Sequence, residues 1–239
     1  MDLPERVLAA ASRIKSPADR PFITISFAQS LDGSIAARRG ARTQISGPES
    51  AQITHILRAN HDAILIGIGT LLADDPQLTV RLVEGDNPIP VILDSKLRIP
   101  SDSYLARSNP PWIATTEQCD QQRAQNLEML GAKVFYLPMD EDGFVQLPAL
   151  METLHQERIR RIMIEGGARV LGSFLGAQLV DFVVITISPL FLGGLAAVEF
   201  PDSVETSMGT RDIPRLDKMD TGFAGKDLVV YGQPAWGNH

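Results

Sequence analysis

Cysteine is almost absent from this chain: Cys119 is the only one in 239 residues. That excludes a disulfide framework and a Cys-rich zinc site. A single thiol without a partner reads as an inert side chain. The four histidines, His55, His61, His155 and His239, fall at no ligand spacing, so no metal site is expected. Gly-x-Ser-x-Gly is missing, and with it the nucleophile elbow of the Ser-His-Asp hydrolases. No Gly-x-Gly-x-x-Gly dinucleotide fingerprint follows a strand-like run, so a standard Rossmann site is not expected. Apolar runs stay short of the ~20 residues that span a bilayer. The first 20 residues mix acids with bases and have no signal-peptide core. Basic residues are outnumbered, 22 against 29, for a net charge of −7. An acidic chain without a Lys/Arg cluster argues against nucleic acid or an anionic membrane as the main partner. A phosphorylated ligand stays open, because backbone N–H groups and a few local cations can hold one. These absences predict a soluble, cytoplasmic protein.

What is present is an ordinary globular composition, 44% hydrophobic and 21% charged, enough for a sizeable core. Residues 7–14 read as a short helix ended by Ser16-Pro17, and 22–27 as a strand followed by the turn Ser30-Leu31-Asp32-Gly33. Ser46-Gly47-Pro48-Glu49 reads as a helix entrance, with proline near the first position and an acid in the first turn. Ile53, Ile56 and Leu57 give that helix its apolar face. Strands are then expected in the apolar run that starts at Ala63 and ends in Gly67-Ile68-Gly69-Thr70, and at 89–93, 112–114, 133–137, 161–164 and 180–187. Helices are expected at 121–130, 148–157 and 168–175, and a closing pair of strands at 213–219 and 226–231. Alternating β and α favours a mostly parallel central sheet with helices on both faces. The β-rich end suggests antiparallel C-terminal edge strands. With no internal repeat or low-complexity linker, residues 1–20 read as an extension and 21–239 as a single domain.

The most telling stretch runs from Ala63 to Thr79. An apolar run ends in Gly67-Ile68-Gly69-Thr70, and Asp74-Asp75-Pro76 follows. Glycines at the end of a buried strand let a ligand or another backbone come close. Carboxylates just beyond sit where open α/β sheets place their ligands. Pro76 predicts an extended backbone at Asp75. Glu165-Gly166-Gly167, between a buried strand and a helix, reads as a phosphate cradle or simply as a tight turn. Gly193-Gly194, after Ser188-Pro189, is a second place for close approach or a loop. Arg58 and Arg81 are candidate anion partners.

Together these segments resemble one family. They are residues 27–36, 57–60, 62–70, 73–81, 94–100 and 164–167, and Ser188-Pro189, in that order. The chain is similar to the riboflavin-biosynthesis reductases over roughly residues 21 to 232. The resemblance implies a dihydrofolate-reductase-like fold. It also implies NADPH-dependent reduction of a ribosylaminopyrimidine 5′-phosphate to its ribitylamino product. By matched positions it places Asp75 and Glu165 in catalysis. Arg58, Asp75, Leu78, Arg81 and Glu165 would line the substrate pocket, with the arginines towards the phosphate. Ser46, Gly69, Thr70, Gly166, Gly167, Ser188, Gly193 and Gly194 would hold NADPH. A zinc deaminase, often fused to this reductase, needs more cysteines than this chain has. The chain therefore resembles the freestanding branch, which commonly forms homodimers.

Two positions depart from the fused enzymes, which often carry Lys where Ser26 stands and Trp where Gln44 stands. They leave room for a paralogue acting on another pterin-like or pyrimidine substrate. A non-catalytic nucleotide-binding protein is the third reading. Nothing in the sequence chooses between the diamino pyrimidinone and its deaminated uracil form, or NADPH over NADH.

Overall fold

The computed structural model describes residues 1–40, 43–201 and 213–237; His239 lies outside them. The strands are β1 (Phe22–Ser30), β2 (Ser34–Ala36), β3 (Ala63–Gly67), β4 (Ile89–Leu93), β5 (Trp112–Thr116), β6 (Lys133–Leu137), β7 (Arg161–Gly166), β8 (Phe182–Ser188), β9 (Leu195–Ala196), β10 (Arg215–Ala224) and β11 (Asp227–Ala235). The helices are α1 (Leu3–Ser12), α2 (Pro48–Ala59), α3 (Ile68–Asp74), α4 (Tyr104–Ser108), α5 (Gln121–Met129), α6 (Leu147–Gln156) and α7 (Ala168–Gly176). Nine strands form one sheet in the order β10-β11-β8-β1-β7-β3-β4-β5-β6, and β2 pairs with β9. From β8 to β6 every neighbouring pair is parallel. β11 runs antiparallel to β8, and β10 to β11. This is the mixed sheet expected from the alternation of elements.

Alternating residues of the inner strands feed two layers. Ile23, Ile25, Ala63, Leu65, Ile162 and Ile164 face a core shared with Leu150, Met151 and Leu154 of α6 and Leu171 and Phe174 of α7. On the other face, Ile64, Ile66, Ile92 and Ile113 pack with Leu71, Leu105, Ala124 and Leu127 of α3, α4 and α5. Phe22, Met163, Phe182 and Tyr231 complete that face against α1 and α2. Leu171 and Phe174 are fully buried, each worth about 1.5–3 kcal/mol in holding α7 to the sheet. Strands covered on both faces read as unbroken apolar runs, which is why Ala63–Gly67 stood out.

Local chemistry explains the boundaries. α1 starts at Leu3, earlier than expected, because Asp2 and Glu5 form a capping box. α2 starts at Pro48 and its cap, Gly47, has no side chain; Asp227 accepts from the Gly47 N–H at 2.7 Å instead. β3 stops at Gly67, and Gly69-Thr70 already belong to the first turn of α3 rather than to a strand end. The closing hairpin is longer than its apolar residues suggest. β10 is mostly exposed and carries a register shift between Asp217 and Asp220, so its pattern does not alternate cleanly. Two short elements, α4 and the β2–β9 pair, had no periodic signal. Among the described residues, no helix is long and apolar enough to cross a membrane, and no group of three or more His, Cys, Asp and Glu could hold a metal.

Candidate active site

The chain passes from β1 outward through β3, β4, β5 and β6, then returns to place β7 between β1 and β3 and β8 on the far side of β1. Connections therefore diverge at the carboxyl ends of β1, β7 and β3, the crevice where open α/β sheets bind ligands. A cavity of about 1160 Å³ opens there. Ser26, Phe27 and Ala28 of β1, Gly67, Leu93, Ser95 and Glu165 line it at the sheet edge, and the starts of α3 and α7 close one side.

Glycine is required where α3 and α7 meet. Gly166 and Gly167 have φ of 98° and 92°, a region costly for any side chain. A Cβ on Gly167 would sit 2.9 Å from Thr70 Oγ1. Thr70 Oγ1 donates to the Gly166 carbonyl at 3.2 Å, tying the two turns together. Gly167 caps α7 without any side-chain hydrogen bond, so among the described residues the first amides of that helix have no side-chain acceptor. Gly69, Thr70, Gly166, Gly167 and Ala168 all line the cavity, and a Cβ on Gly69 would meet open space.

Among the carboxylates of the cavity wall, Asp74 and Glu165 stand at the α3 and β7 end, and Asp140, Asp142 and Glu199 come from loops. Glu165 receives two bonds from Arg58, from Nε to Oε1 and from Nη2 to Oε2, both 2.6 Å. The pair is 11% and 14% exposed. Planar, bidentate pairing of this kind fixes direction as well as charge. Arg58 Nη1 also donates to the Thr79 carbonyl at 2.9 Å. Burial disfavours the guanidinium charge, but attraction and hydrogen bonding to Glu165 outweigh it, and the Arg58 pKa is raised. His55, one turn earlier on α2, has its pKa lowered by burial and then by the Arg58 and Arg81 charges. Its Nδ1 accepts the Arg81 N–H at 2.9 Å.

Several expected residues lie elsewhere. Asp75 is not extended: its φ and ψ are 41° and 58°, and it ends α3 in the left-handed region that Asp tolerates. Its carboxylate leaves the cavity and accepts from the Tyr104 N–H at 2.9 and 3.2 Å. Leu78 is 2% exposed and packs with the α3–α5 core rather than in the cavity. Arg58 faces Glu165, not open space. Arg81 is exposed outside the cavity wall, with Nη1 on Thr79 Oγ1 at 2.6 Å. Ser46 is half-buried beside α2 and outside the wall. Ser188 is buried, its hydroxyl donating to Asp227 Oδ1 at 2.7 Å. Gly193 donates to Asp32 Oδ2 at 2.6 Å and Gly194 to Ser34 Oγ at 3.1 Å. Hydrogen bonding from Ser30 first, then from Leu192 and Gly193, holds the Asp32 carboxyl far below the usual range. Those two glycines serve the β2–β9 contact, where a Cβ on Gly194 would lie 2.0 Å from the Ala36 carbonyl oxygen.

Sequence reasoning missed the wall residues Lys96, Arg98, Phe144 and Arg169, and of the candidate pair Asp74-Asp75 the resemblance singled out Asp75 while Asp74 is the one on the wall. Asp74 had a signal. Thr70 and Asp74 are four apart, so on a helix they share a face. That signal vanishes if the segment is read as strand and loop. Lys96 and Arg98 follow the expected strand β4 and are exposed.

Comparisons with known proteins agree with this architecture. The RibD C-terminal domain family matches residues 21–230. The chain is 32% identical to the 2,5-diamino-6-ribosylamino-4(3H)-pyrimidinone 5′-phosphate reductase of Archaeoglobus fulgidus, over 86% of this chain and 96% of that protein. Identity to the protein of the same description in Methanothermobacter thermautotrophicus is 36%, over 88% and 97%. It is 35% to the riboflavin biosynthesis protein RibD of Aquifex aeolicus, of which the chain spans 58%. Among solved structures, the riboflavin biosynthesis reductase Rib7 of Saccharomyces cerevisiae superposes with a TM-score of 0.76 at 29% identity, covering 98% of this chain and 100% of that one. Enterococcus faecalis dihydrofolate reductase shares the fold at 11% identity and a TM-score of 0.50, over 89% of this chain and 96% of that one. The chain belongs to the RibD C-terminal domain family and is an oxidoreductase of dihydrofolate-reductase-like fold.

Proposed function

We propose that this protein uses NADPH to reduce the ribosyl group of 2,5-diamino-6-ribosylamino-4(3H)-pyrimidinone 5′-phosphate, giving the ribitylamino product in riboflavin biosynthesis. The observation that carries the reading is one cavity holding two unlike parts: a glycine turn at the start of α7, where the cap residue makes no side-chain hydrogen bond, and the carboxylates Asp74 and Glu165. Its volume of about 1160 Å³ exceeds the roughly 300–1,000 Å³ of a site for one small ligand, so it has room for a dinucleotide and a substrate together. The form of the substrate follows the archaeal relatives, whose descriptions name the diamino pyrimidinone.

The wall residues fit a phosphorylated dinucleotide. The first amides of α7, with Gly166 and Gly167 at positive φ, suit a diphosphate approaching the backbone. Lys96 and Arg98, exposed after β4, supply the positive charge that a 2′-phosphate needs and favour NADPH over NADH. Bound there, NADPH supplies the hydride.

The chain's own part is orientation and electrostatics. Glu165, locked by Arg58, accepts hydrogen bonds from substrate hydroxyls. Asp74 takes the role expected of Asp75 and holds the pyrimidine or ribose from the α3 side. Arg81, with the Arg58 charge behind Glu165, draws the 5′-phosphate to that end of the crevice.

A second copy of the chain would cover the outer face of β10, where Met219 and Phe223 are largely exposed. Sedimentation should then show a dimer, and Phe223→Glu should shift it towards monomer. The activity test is NADPH oxidation by the purified protein with the diamino pyrimidinone ribosyl phosphate and, in parallel, its deaminated counterpart. Faster oxidation with the diamino form is expected. NADPH binding with no oxidation of either would favour the paralogue or the non-catalytic reading.

A further inference from the structure

Four side chains from four segments form a continuous chain along the cavity rim. The Arg169 guanidinium lies 5.5 Å from the centre of the Phe144 ring. Arg169 Nη2 is 3.3 Å from Glu199 Oε1, and Arg39 Nη2 is 3.1 Å from Glu199 Oε2. All four residues line the cavity. Glu199 is fixed through its backbone. Its N–H donates to the Ala168 carbonyl at 3.1 Å. Gly172 admits the segment, since a Cβ there would lie 2.0 Å from the Glu199 carbonyl oxygen. A carboxylate is thus held beside the first turn of α7, with one guanidinium on each oxygen.

We propose that Glu199 is an intramolecular stand-in for the cofactor's diphosphate, holding Arg39 and Arg169 at the rim until an anionic dinucleotide takes them over. The inference rests on the cofactor reading above and adds a residue that sets cofactor affinity. The exchange is energetically easy. Arg39 is 74% exposed, Arg169 56% and Glu199 36%, so both ion pairs are solvent-screened and weak. A diphosphate offers more charge and more acceptor oxygens to the same two guanidinium forks. Glu199, once released, is already at the surface and regains water. While it holds the arginines, only a fraction of molecules is competent to bind, and apparent affinity falls by that fraction. A polyanion can compete for the arginines; an uncharged nucleoside cannot.

The test measures dissociation constants for NADPH, by its fluorescence, and for inorganic pyrophosphate and adenosine, by displacement of NADPH. Wild type is compared with Glu199→Gln, and melting curves confirm that the variant is folded. Glu199→Gln should bind NADPH and pyrophosphate about threefold to tenfold more tightly, the scale of two exposed ion pairs. Adenosine should be unchanged. The gain should shrink at about 0.5 M salt, where exposed charges are screened. Glu199→Ala, which keeps the backbone bond to Ala168, should behave the same way and serves if the first variant does not fold. Wild-type or weaker binding of both anions in a folded variant overturns the inference and leaves the cofactor reading standing. A gain that is equal for adenosine or insensitive to salt also overturns it. Failure of the wild-type protein to bind NADPH would instead overturn the cofactor reading, and the inference with it.

Discussion

Gly166-Gly167 and Gly193-Gly194 are the same dipeptide, each following a buried strand, and they do opposite things. The first pair lines the cavity at the uncapped start of α7. The second donates its N–H groups to Asp32 and Ser34 and lets β9 close on β2. The neighbours Asp74 and Asp75 divide in the same way: one lines the cavity, the other holds the Tyr104 amide. Residue type signals that a backbone must come close or that a charge must be held. Only the partner decides whether the role is binding or scaffolding.

The aspartates offer the largest contrast. Asp74→Asn should lower kcat by about 100-fold, the scale of a misplaced substrate. Asp75→Asn should leave kcat within about threefold and lower the melting temperature, because a charge-assisted hydrogen bond to a backbone amide weakens. The reverse order, read from steady-state kinetics on both variants, would return the catalytic role to Asp75.

The glycine pairs come next. Gly194→Ala drives a Cβ against the Ala36 carbonyl and should cost about 1–3 kcal/mol of stability, as overpacking does. NADPH affinity per folded molecule should change little. Gly167→Ala meets Thr70 Oγ1 at a φ of 92°, so the strain falls on the cavity wall and NADPH binding should weaken about tenfold or more. Chemical denaturation and NADPH titration on both variants separate the outcomes. Equal losses of affinity would erase the distinction between the two turns.

The Arg58–Glu165 pair extends the contrast to two residues expected to touch substrate. Arg58→Lys keeps the charge but loses the bidentate fork. It should cost about tenfold in kcat/KM if its task is to aim Glu165. A loss confined to substrates bearing the 5′-phosphate would instead mark direct phosphate contact.

Much of the fold was legible because each inner strand is an apolar run bounded by turn residues, and the helices carry apolar residues at helical spacing. Glu165, Gly166, Gly167, Gly69 and Thr70 line the cavity because motif and sheet edge coincide there. Which of Asp74 and Asp75 lines the cavity was not legible, because the first turn of α3 is made of Ile68, Gly69 and Thr70, which carry no strong helix signal. Lys96, Arg98, Arg39, Arg169 and Glu199 were not legible, since an exposed charge at the cavity rim has the same local sequence as any solvated one. Leu78 at φ 55° illustrates the opposite case: its motif is plain, but its side chain serves the core.

The smallest effect is expected at Ser188, and its pH dependence is diagnostic. The Ser188 hydroxyl donates to Asp227, which also accepts from Ser50 Oγ at 2.6 Å and the Gly47 amide at 2.7 Å. Burial pushes the Asp227 pKa up, but the bonds from Ser50, Gly47 and Ser188 together outweigh it, and the net shift is downward from 3.8. A carboxyl with a depressed folded-state pKa contributes stability above its unfolded value, and that contribution is lost as pH falls through the folded value. Ser188→Ala should therefore cost about 1.5–3 kcal/mol near neutral pH, the scale of a hydrogen bond to a charged group. The cost should shrink below about pH 4, where the unfolded chain's carboxyl protonates. NADPH affinity should not change at any pH, because this hydroxyl faces Asp227 and lies outside the cavity wall. Weaker NADPH binding with unchanged stability would put Ser188 back at the cofactor and show that the loop it begins can turn towards the cavity.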